Sequence, residues 1–297
     1  MSNESIISKR PLWFLYAMVL LHQILGSLAF PFAKIGLNEI DPFVYAFFRF
    51  GLSTVVLLPI LYLLHRKQKI IWKDRLKIIG AGLIIIPFNQ VLFLIGQSKT
   101  SASHSSLLFA TIPIFLYVLA IVFLKEKATI RRTIGIIIAT GGVFIILSGG
   151  KIEFGGEYLI GDLLILIAVL AWAVGTIILK PMAVKYGAFR VTGLALIYGS
   201  LVYFPYGFNR TINYPLASIS INGWLSIVYM AVFVSIIAYF LWYWTLKYME
   251  ASRVAVLHNI QPIIATIVAA LILGEIISGT FILGGCIALA GVILTEI

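Results

Sequence analysis

The residues able to do chemistry in this chain are polar and aromatic side chains set within long apolar stretches. Amide, imidazole and aromatic groups bind small molecules by hydrogen bonding and stacking, and imidazole also exchanges a proton near neutral pH. The candidate substrate-binding residues are His22, Asn89, Gln90, Trp172, Tyr239, His258, Asn259 and Gln261. No acidic residue lies in the middle of an apolar stretch, so His22 and His258 are the favoured carriers of any coupled proton.

Two groups of these candidate residues lie next to a proline, which suggests that they line the same cavity. Asn89 and Gln90 follow Pro87, and His258 to Gln261 directly precede Pro262. Proline removes a backbone donor, and an interrupted helix is tolerated in a membrane where it is buried in protein or lines a wet cavity. We therefore expect both clusters to line a cavity. Structural alternatives remain open: His22 can serve only as an interhelical hydrogen-bond partner, and Trp172 only as core packing.

The elements that position these residues are membrane helices. The 297 residues are 61% hydrophobic and 11% charged, with a mean hydropathy of +1.07, which excludes an ordinary soluble domain. A spanning helix needs roughly 20 apolar residues. We predict an all-α integral membrane protein with ten transmembrane helices, over residues 12–33, 43–64, 76–97, 102–124, 130–148, 159–184, 188–207, 222–246, 252–273 and 279–297.

Charge distribution predicts the orientation of these helices. The net charge is +11, and 17 of the 22 Lys and Arg fall on the side that also carries the N-terminus. The positive-inside rule makes that side cytoplasmic, with both termini inside. We expect a multi-pass protein of a prokaryotic plasma membrane, in contact with the lipid bilayer and not with nucleic acid. The single cysteine, Cys286, excludes an internal disulfide, and we expect no metal and no cofactor.

Arg49 is the one basic residue placed well inside a predicted helix. It lies seven residues in, about 10 Å along the axis at a rise of about 1.5 Å per residue. We expect it to snorkel toward the interface, or to hold an ion pair or a carbonyl group, in preference to binding substrate.

An internal repeat divides the chain. Residues 102–145 align without gaps to residues 149 positions later, with 13 of 44 positions identical. The matched positions include Pro113 with Pro262, Glu126 with Glu275, Gly135 with Gly284, and Gly142 with Gly291. We predict two domains, 1–148 and 149–297. Five helices is an odd number, so consecutive copies insert with opposite topology.

The repeated residues have expected structural roles. The glycines are spaced for close helix packing, and Pro87, Pro113 and Pro262 mark helix breaks. The two glutamates are predicted to be corner residues at helix ends, with gating contacts as the alternative.

The repeated order of Ala-Ser, Pro, Leu-x-Glu, Gly and Gly-Val resembles the EamA-type members of the drug/metabolite transporter superfamily. Pro31, Lys34, Pro42 and Arg49 in the first copy, and the Ala171–Gly175 and Tyr239–Trp242 stretches in the second, extend the likeness over nearly the whole chain. The resemblance implies two inverted repeats of five helices. It also implies a central cavity lined mainly by helices 1, 3, 4, 6, 8 and 9, and alternating access.

These observations favour a secondary transporter that exports small metabolites, such as amino acids or related compounds, or drugs. No nucleotide-binding loop is present, and proton coupling and exchange both remain open, as does the oligomeric state. One alternative is an intramembrane lipid-modifying enzyme, which would need paired carboxylates, a metal cluster or a nucleophile with a base. Another is a phosphate-sugar or nucleotide-sugar antiporter of the same fold, which would need basic residues deep in the cavity.

Overall fold

The computed structural model describes residues 11–63, 69–100, 105, 108–148, 159–264 and 279–296, and within these ranges all regular structure is helical. The helices, in chain order, are α1 Leu12–Leu37, α2 Pro42–Leu63, α3 Trp72–Lys99, α4 Ile112–Leu124, α5 Ile130–Ser148, α6 Leu159–Tyr186, α7 Ala188–Thr211, α8 Ile221–Tyr248, α9 Ala251–Val256 with its 3-10 continuation Leu257–Ile260, and α10 Gly279–Glu296. The prediction of an all-α fold is confirmed.

Six of these helices, α1, α2, α3, α6, α7 and α8, are long and apolar enough to cross a bilayer. Shorter apolar helices occur at Ile112–Leu124 and Ile282–Thr295. The segments predicted at 102–124 and 252–273 extend beyond the described residues, and so does the predicted corner at Glu275. Elsewhere the ends differ from prediction by a few residues. For example, α3 begins at Trp72, four residues before the predicted start.

Helix packing links the first five helices to the second five. The paired helices are α1 with α8, α2 with α7, α3 with α6, α4 with α9, and α5 with α10. In addition, α3 packs against α7, and α8 packs against α2. The described helices therefore form a single interleaved bundle.

The α5–α10 pair approaches closely, because glycines bring the two backbones into contact. A Cβ added at Gly142 would collide with the backbone of Ala288 and the carbonyl of Gly284. A Cβ added at Gly291 would collide with the backbone of Ala139 and the carbonyl of Gly135. Small residues permit this separation, and apolar packing at short range stabilises helix pairs where the hydrophobic effect between helices is absent.

Among the described helices, α4 ends in a π-helical turn, Ala120–Leu124, and three others depart from α geometry within their length. In α3 a π-helical segment, Ile84–Gln90, contains Pro87, and in α8 a longer one covers Met230–Ala238. In α9 the 3-10 helix Leu257–Ile260 comes before Pro262. Pro113 lies in the first turn of α4, where a missing N–H costs little. Such segments turn side chains away from their regular register, and they occur often at functional sites.

The substitution Gly142→Leu is expected to destabilise the folded protein, because the new side chain meets the α10 backbone, which cannot move aside. Overpacking of this kind costs at least about 1–3 kcal/mol. Thermal unfolding in detergent micelles, followed by size-exclusion chromatography, measures the effect. Gly141→Leu is the control, since a Cβ there meets nothing within 4 Å. Equal stability of the two variants would show that contact with the α10 backbone does not cause the destabilisation.

Candidate functional site

A cavity lies between helices of both halves of the chain. Its lining comes from α1, α2, α3, α6, α8 and α9, together with Phe109 just before α4. The free volume is about 70 Å³, which suffices for a few water molecules at most. The residues that line it are His22, Gly26, Ala29, Phe30, Arg49, Gln90, Phe93, Phe109, Trp172, Met230, Val234, Ala238, Tyr239, His258 and Gln261.

Two histidines line the cavity, and a tryptophan packs against them. His22 from α1 stacks on His258 from the 3-10 segment, with ring centroids 5.4 Å apart. The Trp242 indole packs against both rings, with centroids 5.2 Å from His22 and 4.8 Å from His258. Trp242 Nε1 donates a hydrogen bond to Thr176 Oγ1 at 3.2 Å, which fixes the indole against α6. Residues distant in sequence thus form one aromatic stack.

Gln23 orients the second histidine. Its amide nitrogen lies 3.3 Å from His258 Nδ1, and both side chains are buried. If Gln23 Nε2 donates, His258 Nδ1 is the acceptor and a neutral ring carries its proton on Nε2. A fixed tautomer determines which nitrogen of His258 can donate a hydrogen bond.

Trp172 and Tyr239 also line the cavity, and the Trp172 ring lies 6.2 Å from the Trp242 ring. The ring centroids of Trp172 and Tyr239 are 4.8 Å apart, and both side chains are buried. Trp172 lies on α6, and Tyr239 is the first residue after the π-helical segment of α8. The indole Nε1 of Trp172 makes no hydrogen bond in the structure. An unpaired buried donor beside a cavity is available to a ligand.

Arg49 is fully buried and lines the same cavity. The expectation that it snorkels to the interface is wrong, because α7 and α8 cover this part of α2 and leave no path for the side chain to water. Its Nε donates to Ser235 Oγ at 3.0 Å, while Nη1 and Nη2 make no hydrogen bond by geometric criteria. The structure therefore adds a cation to the site.

The amide side chains divide into two groups. Gln90 and Gln261 line the cavity, and Gln261 packs against Gly26, where any Cβ would collide with the amide. Asn89 faces away from the cavity, since its Nδ2 donates to the Ala168 carbonyl at 2.5 Å and its Oδ1 accepts from Gln90. Asn259 is buried outside the cavity lining, and neither of its side-chain polar atoms makes a hydrogen bond in the structure.

Glu126 links the two halves of the chain next to the end of α4. Its carboxylate accepts hydrogen bonds from the Ala251 and Ser252 backbone N–H groups at 2.7 and 3.2 Å, and from Ser252 Oγ at 2.8 Å. It also pairs with Lys180 of α6 at 2.7 Å. A carboxylate at the first turn of α9 satisfies orphan N–H groups and complements the helix dipole. We call this set of contacts the Glu126 latch.

The environment of Glu126 favours its charged form. Burial by itself would raise the pKa of this carboxyl, but the Lys180 ammonium and the hydrogen bonds from Ala251 and Ser252 outweigh burial and lower the pKa. The latch is therefore stabilised at pH values above the ordinary carboxyl pKa. It is lost as the pH falls through the lowered value.

Sequence reasoning missed Arg49 and Trp242 as parts of the site. The signal for Arg49 was present, since it is the one basic residue deep in a predicted span, but counting residues from the helix start does not show which helices surround it. Trp242 lies within an aromatic run, Tyr239–Trp244. Helical periodicity alone does not show which side chains of this run face the cavity and which pack in the core.

Comparison with known proteins identifies the family. The model of the EamA-like transporter family matches residues 13–148 and matches again over residues 159–297. The chain belongs to the EamA-like transporter family. The predicted family is thereby confirmed, and this EamA-family protein is a multi-pass membrane transporter.

Relatives of this EamA-family protein cover it nearly end to end. An uncharacterized transporter of Archaeoglobus fulgidus is 27% identical over 285 residues, which is 94% of this chain and 96% of the relative. The uncharacterized transporter YetK of Bacillus subtilis is 25% identical over 267 residues, 89% of this chain and 81% of the relative. A solved crystal structure superposes with a TM-score of 0.73 at 15% identity, over 99% of this chain and 96% of that one. This last likeness supports the fold.

Substitution of Trp242 by Ala is expected to destabilise the protein by about 3–5 kcal/mol, because it removes a fully buried indole that packs against both stacked histidines. Thermal unfolding in micelles measures the loss as a lowered midpoint. Trp244→Ala on the same helix is the matched control, since that side chain is only partly buried and should cost less. Equal midpoints for the two variants would show that the stack contributes little.

Proposed function

We propose that this EamA-family protein is a secondary transporter, not an enzyme, that exports small metabolites, such as amino acids or related compounds, or drugs across a prokaryotic plasma membrane. The central cavity carries this proposal. Its polar groups come from both halves of the chain, and they are enclosed by helices that are long and apolar enough to span a bilayer. A polar site enclosed at such a position suits a solute that must cross hydrocarbon.

We infer that residues 1–148 and 149–297 are inverted copies of one five-helix unit. If the halves are copies, each helix corresponds to the one five places along the chain, and equivalent helices should make equivalent contacts. The α1–α8 contact then corresponds to α6–α3, and the α3–α7 contact corresponds to α8–α2. All four contacts occur. The pairs α2–α7, α4–α9 and α5–α10 correspond to themselves. At residue level, the contact of Gly142 with Ala288 has its counterpart in that of Gly291 with Ala139, at the repeat offset of 149.

The small size of the cavity supports alternating access. A free volume of about 70 Å³ is too small for an amino acid, so the lining helices must separate before a substrate enters. The Glu126 latch supports closure at one end, since it ties α4 to α6 and α9. We assign this end to the cytoplasm, because Lys125, Lys127, Arg131 and Lys185 lie at the neighbouring helix ends and the positive-inside rule places such residues inside.

Counterflow in proteoliposomes tests the function. Vesicles loaded with an unlabelled amino acid should accumulate the labelled one from outside, and empty vesicles should not. An imposed pH gradient separates the two coupling modes: acceleration supports proton coupling through His22 or His258, and indifference supports exchange. No saturable flux of any amino acid, amphipathic acid or drug in a broad panel would refute the proposal.

Removal of His258 or Gln261 is expected to reduce counterflow roughly tenfold, because each cavity hydrogen bond to a substrate contributes on the order of 1.4 kcal/mol. The protein should remain folded and monodisperse, since neither truncation empties a large core volume. Ile260→Ala is the control, as this partly buried residue lies between the two and does not line the cavity. Wild-type rates for both cavity variants would show that the substrate path lies elsewhere.

Glu126→Gln is expected to open the cytoplasmic end of the cavity more often, because the neutral amide loses its ion pair with Lys180. The measurement is the rate at which a thiol reagent on that side labels Ala29→Cys in a Cys286→Ser background, which should rise severalfold. Lowering the pH should act in the same direction on the unmodified latch. Glu250→Gln is the control, since Glu250 forms a half-exposed pair with Arg132 outside the latch. Equal labelling rates would leave Glu126 a static corner residue.

A further inference from the structure

Arg49 brings a positive charge to the cavity, and none of the described carboxylates pairs with it. The acidic side chains that the structure describes have partners elsewhere: Glu39 with Ser220, Asp41 with Arg210, Asp74 with Lys185, Glu126 with Lys180, Asp162 with Thr100, and Glu250 with Arg132. A buried charge without a counter-charge costs several kcal/mol. This cost falls when an anion enters the cavity.

The guanidinium is held in one orientation by its neighbours. Ser235 Oγ accepts from Arg49 Nε at 3.0 Å and itself donates to the Met230 carbonyl at 2.9 Å, within the π-helical segment of α8. The Phe50 ring lies 4.9 Å from the guanidinium carbon, and the Tyr45 and Tyr239 side chains lie close enough to interact with the guanidinium. The two terminal nitrogens are left without hydrogen bonds, in the fork that a carboxylate matches with two parallel bonds.

The rest of the described lining is apolar or aromatic, with neutral polar groups. Phe30, Phe93, Phe109 and Met230 supply hydrocarbon surface, and no carboxylate is among the lining residues that the structure describes. An ammonium group in this cavity would find amides, imidazoles and ring faces but no counter-charge. The cavity therefore compensates the charge of one bound anion but would leave the charge of a bound cation uncompensated.

We propose that Arg49 is the anion anchor of the cavity, and that its substrates are small monocarboxylates with an apolar or aromatic body, for which an α-amino group is not required. This inference rests on the proposed function, because it assigns a substrate class to the same cavity. A dianionic phosphate ester fits less well, since one guanidinium leaves half of its charge uncompensated among apolar side chains.

Four related probes test the charge preference in protein reconstituted in lipid nanodiscs. They share a phenyl ring and differ in their charged group: 3-phenylpropionate, phenylalanine, phenethylamine and phenyl phosphate. Binding is followed by quenching of tryptophan fluorescence, since Trp172 lines the cavity and Trp242 packs against its histidines. Both carboxylates should bind saturably. Phenethylamine and phenyl phosphate should bind at least roughly tenfold more weakly, because each leaves charge unpaired.

Variants of Arg49 separate charge from geometry. Arg49→Gln should weaken 3-phenylpropionate binding roughly 10- to 100-fold, the range for a hydrogen bond to a charged group. Arg49→Lys keeps the charge but loses the fork, so its affinity should be intermediate, and Ser235→Ala should weaken binding by releasing Nε. Arg210→Gln is the control, since Arg210 is half-exposed and pairs with Asp41 outside the cavity.

Two results would overturn the anchor: phenethylamine binding as tightly as 3-phenylpropionate, or 3-phenylpropionate affinity unchanged in Arg49→Gln and Ser235→Ala. Absence of saturable binding by either carboxylate would overturn it as well. Counterflow of the same probes separates this inference from the transport function. Binding that depends on Arg49 without any flux would keep the anchor and refute transport. Flux of phenethylamine that is insensitive to Arg49 would keep transport and refute the anchor.

Discussion

Hydrocarbon offers no hydrogen bonds, so every polar group inside this bundle must find a partner within the protein or in a cavity. Two contacts between α2 and α8 follow this constraint. Tyr45 bonds to Ser226, and Ser53 bonds to the Ala231 carbonyl, so α2 is tied to α8 by side chains that would otherwise be costly to bury. Arg49 lies between these two positions on the same helix, and its Nη nitrogens are among the described buried polar atoms without a hydrogen bond, as are Trp172 Nε1 and the Asn259 amide.

The broken helices place polar groups where the cavity needs them. A regular α3 or α8 would use its backbone donors internally and would present an unbroken apolar stripe. The π-helical segments shift the side chains that follow, and Gln90 and Tyr239 lie at or directly after such a segment, both facing the cavity. The 3-10 segment of α9 does the same for His258. The irregular helix geometry therefore positions the cavity side chains as well as affecting how the helices pack.

Much of the fold was predictable because membrane helices are long apolar runs. The thickness of the hydrocarbon core sets the length of one run, and counting runs of that length gives the number of helices. The repeat was visible because prolines, glycines and a glutamate recur at one offset. The site was less accessible to sequence reasoning. His22, Gln90, Trp172, Tyr239, His258 and Gln261 do line the cavity, but Asn89 lies beside Gln90 and bonds to α6 instead. Which face of a buried helix meets a cavity depends on its neighbours, and the sequence of one helix does not encode them.

The polar residues of the cavity do not recur at the repeat offset of 149. Glycines at the α5–α10 contact recur in both copies, but the position matching Arg49 is Tyr198, and the position matching His258 is Phe109. Two identical copies of the proposed five-helix unit would have offered two equal charges, one on each side of a pseudo-symmetry axis. If the two halves are inverted copies, as we propose, the scaffold has kept its two-fold symmetry while its chemistry has become one-sided. An anion bound at Arg49 would then lie off the axis, nearer to the first copy, and the two halves of a transport cycle would not need to present equal barriers.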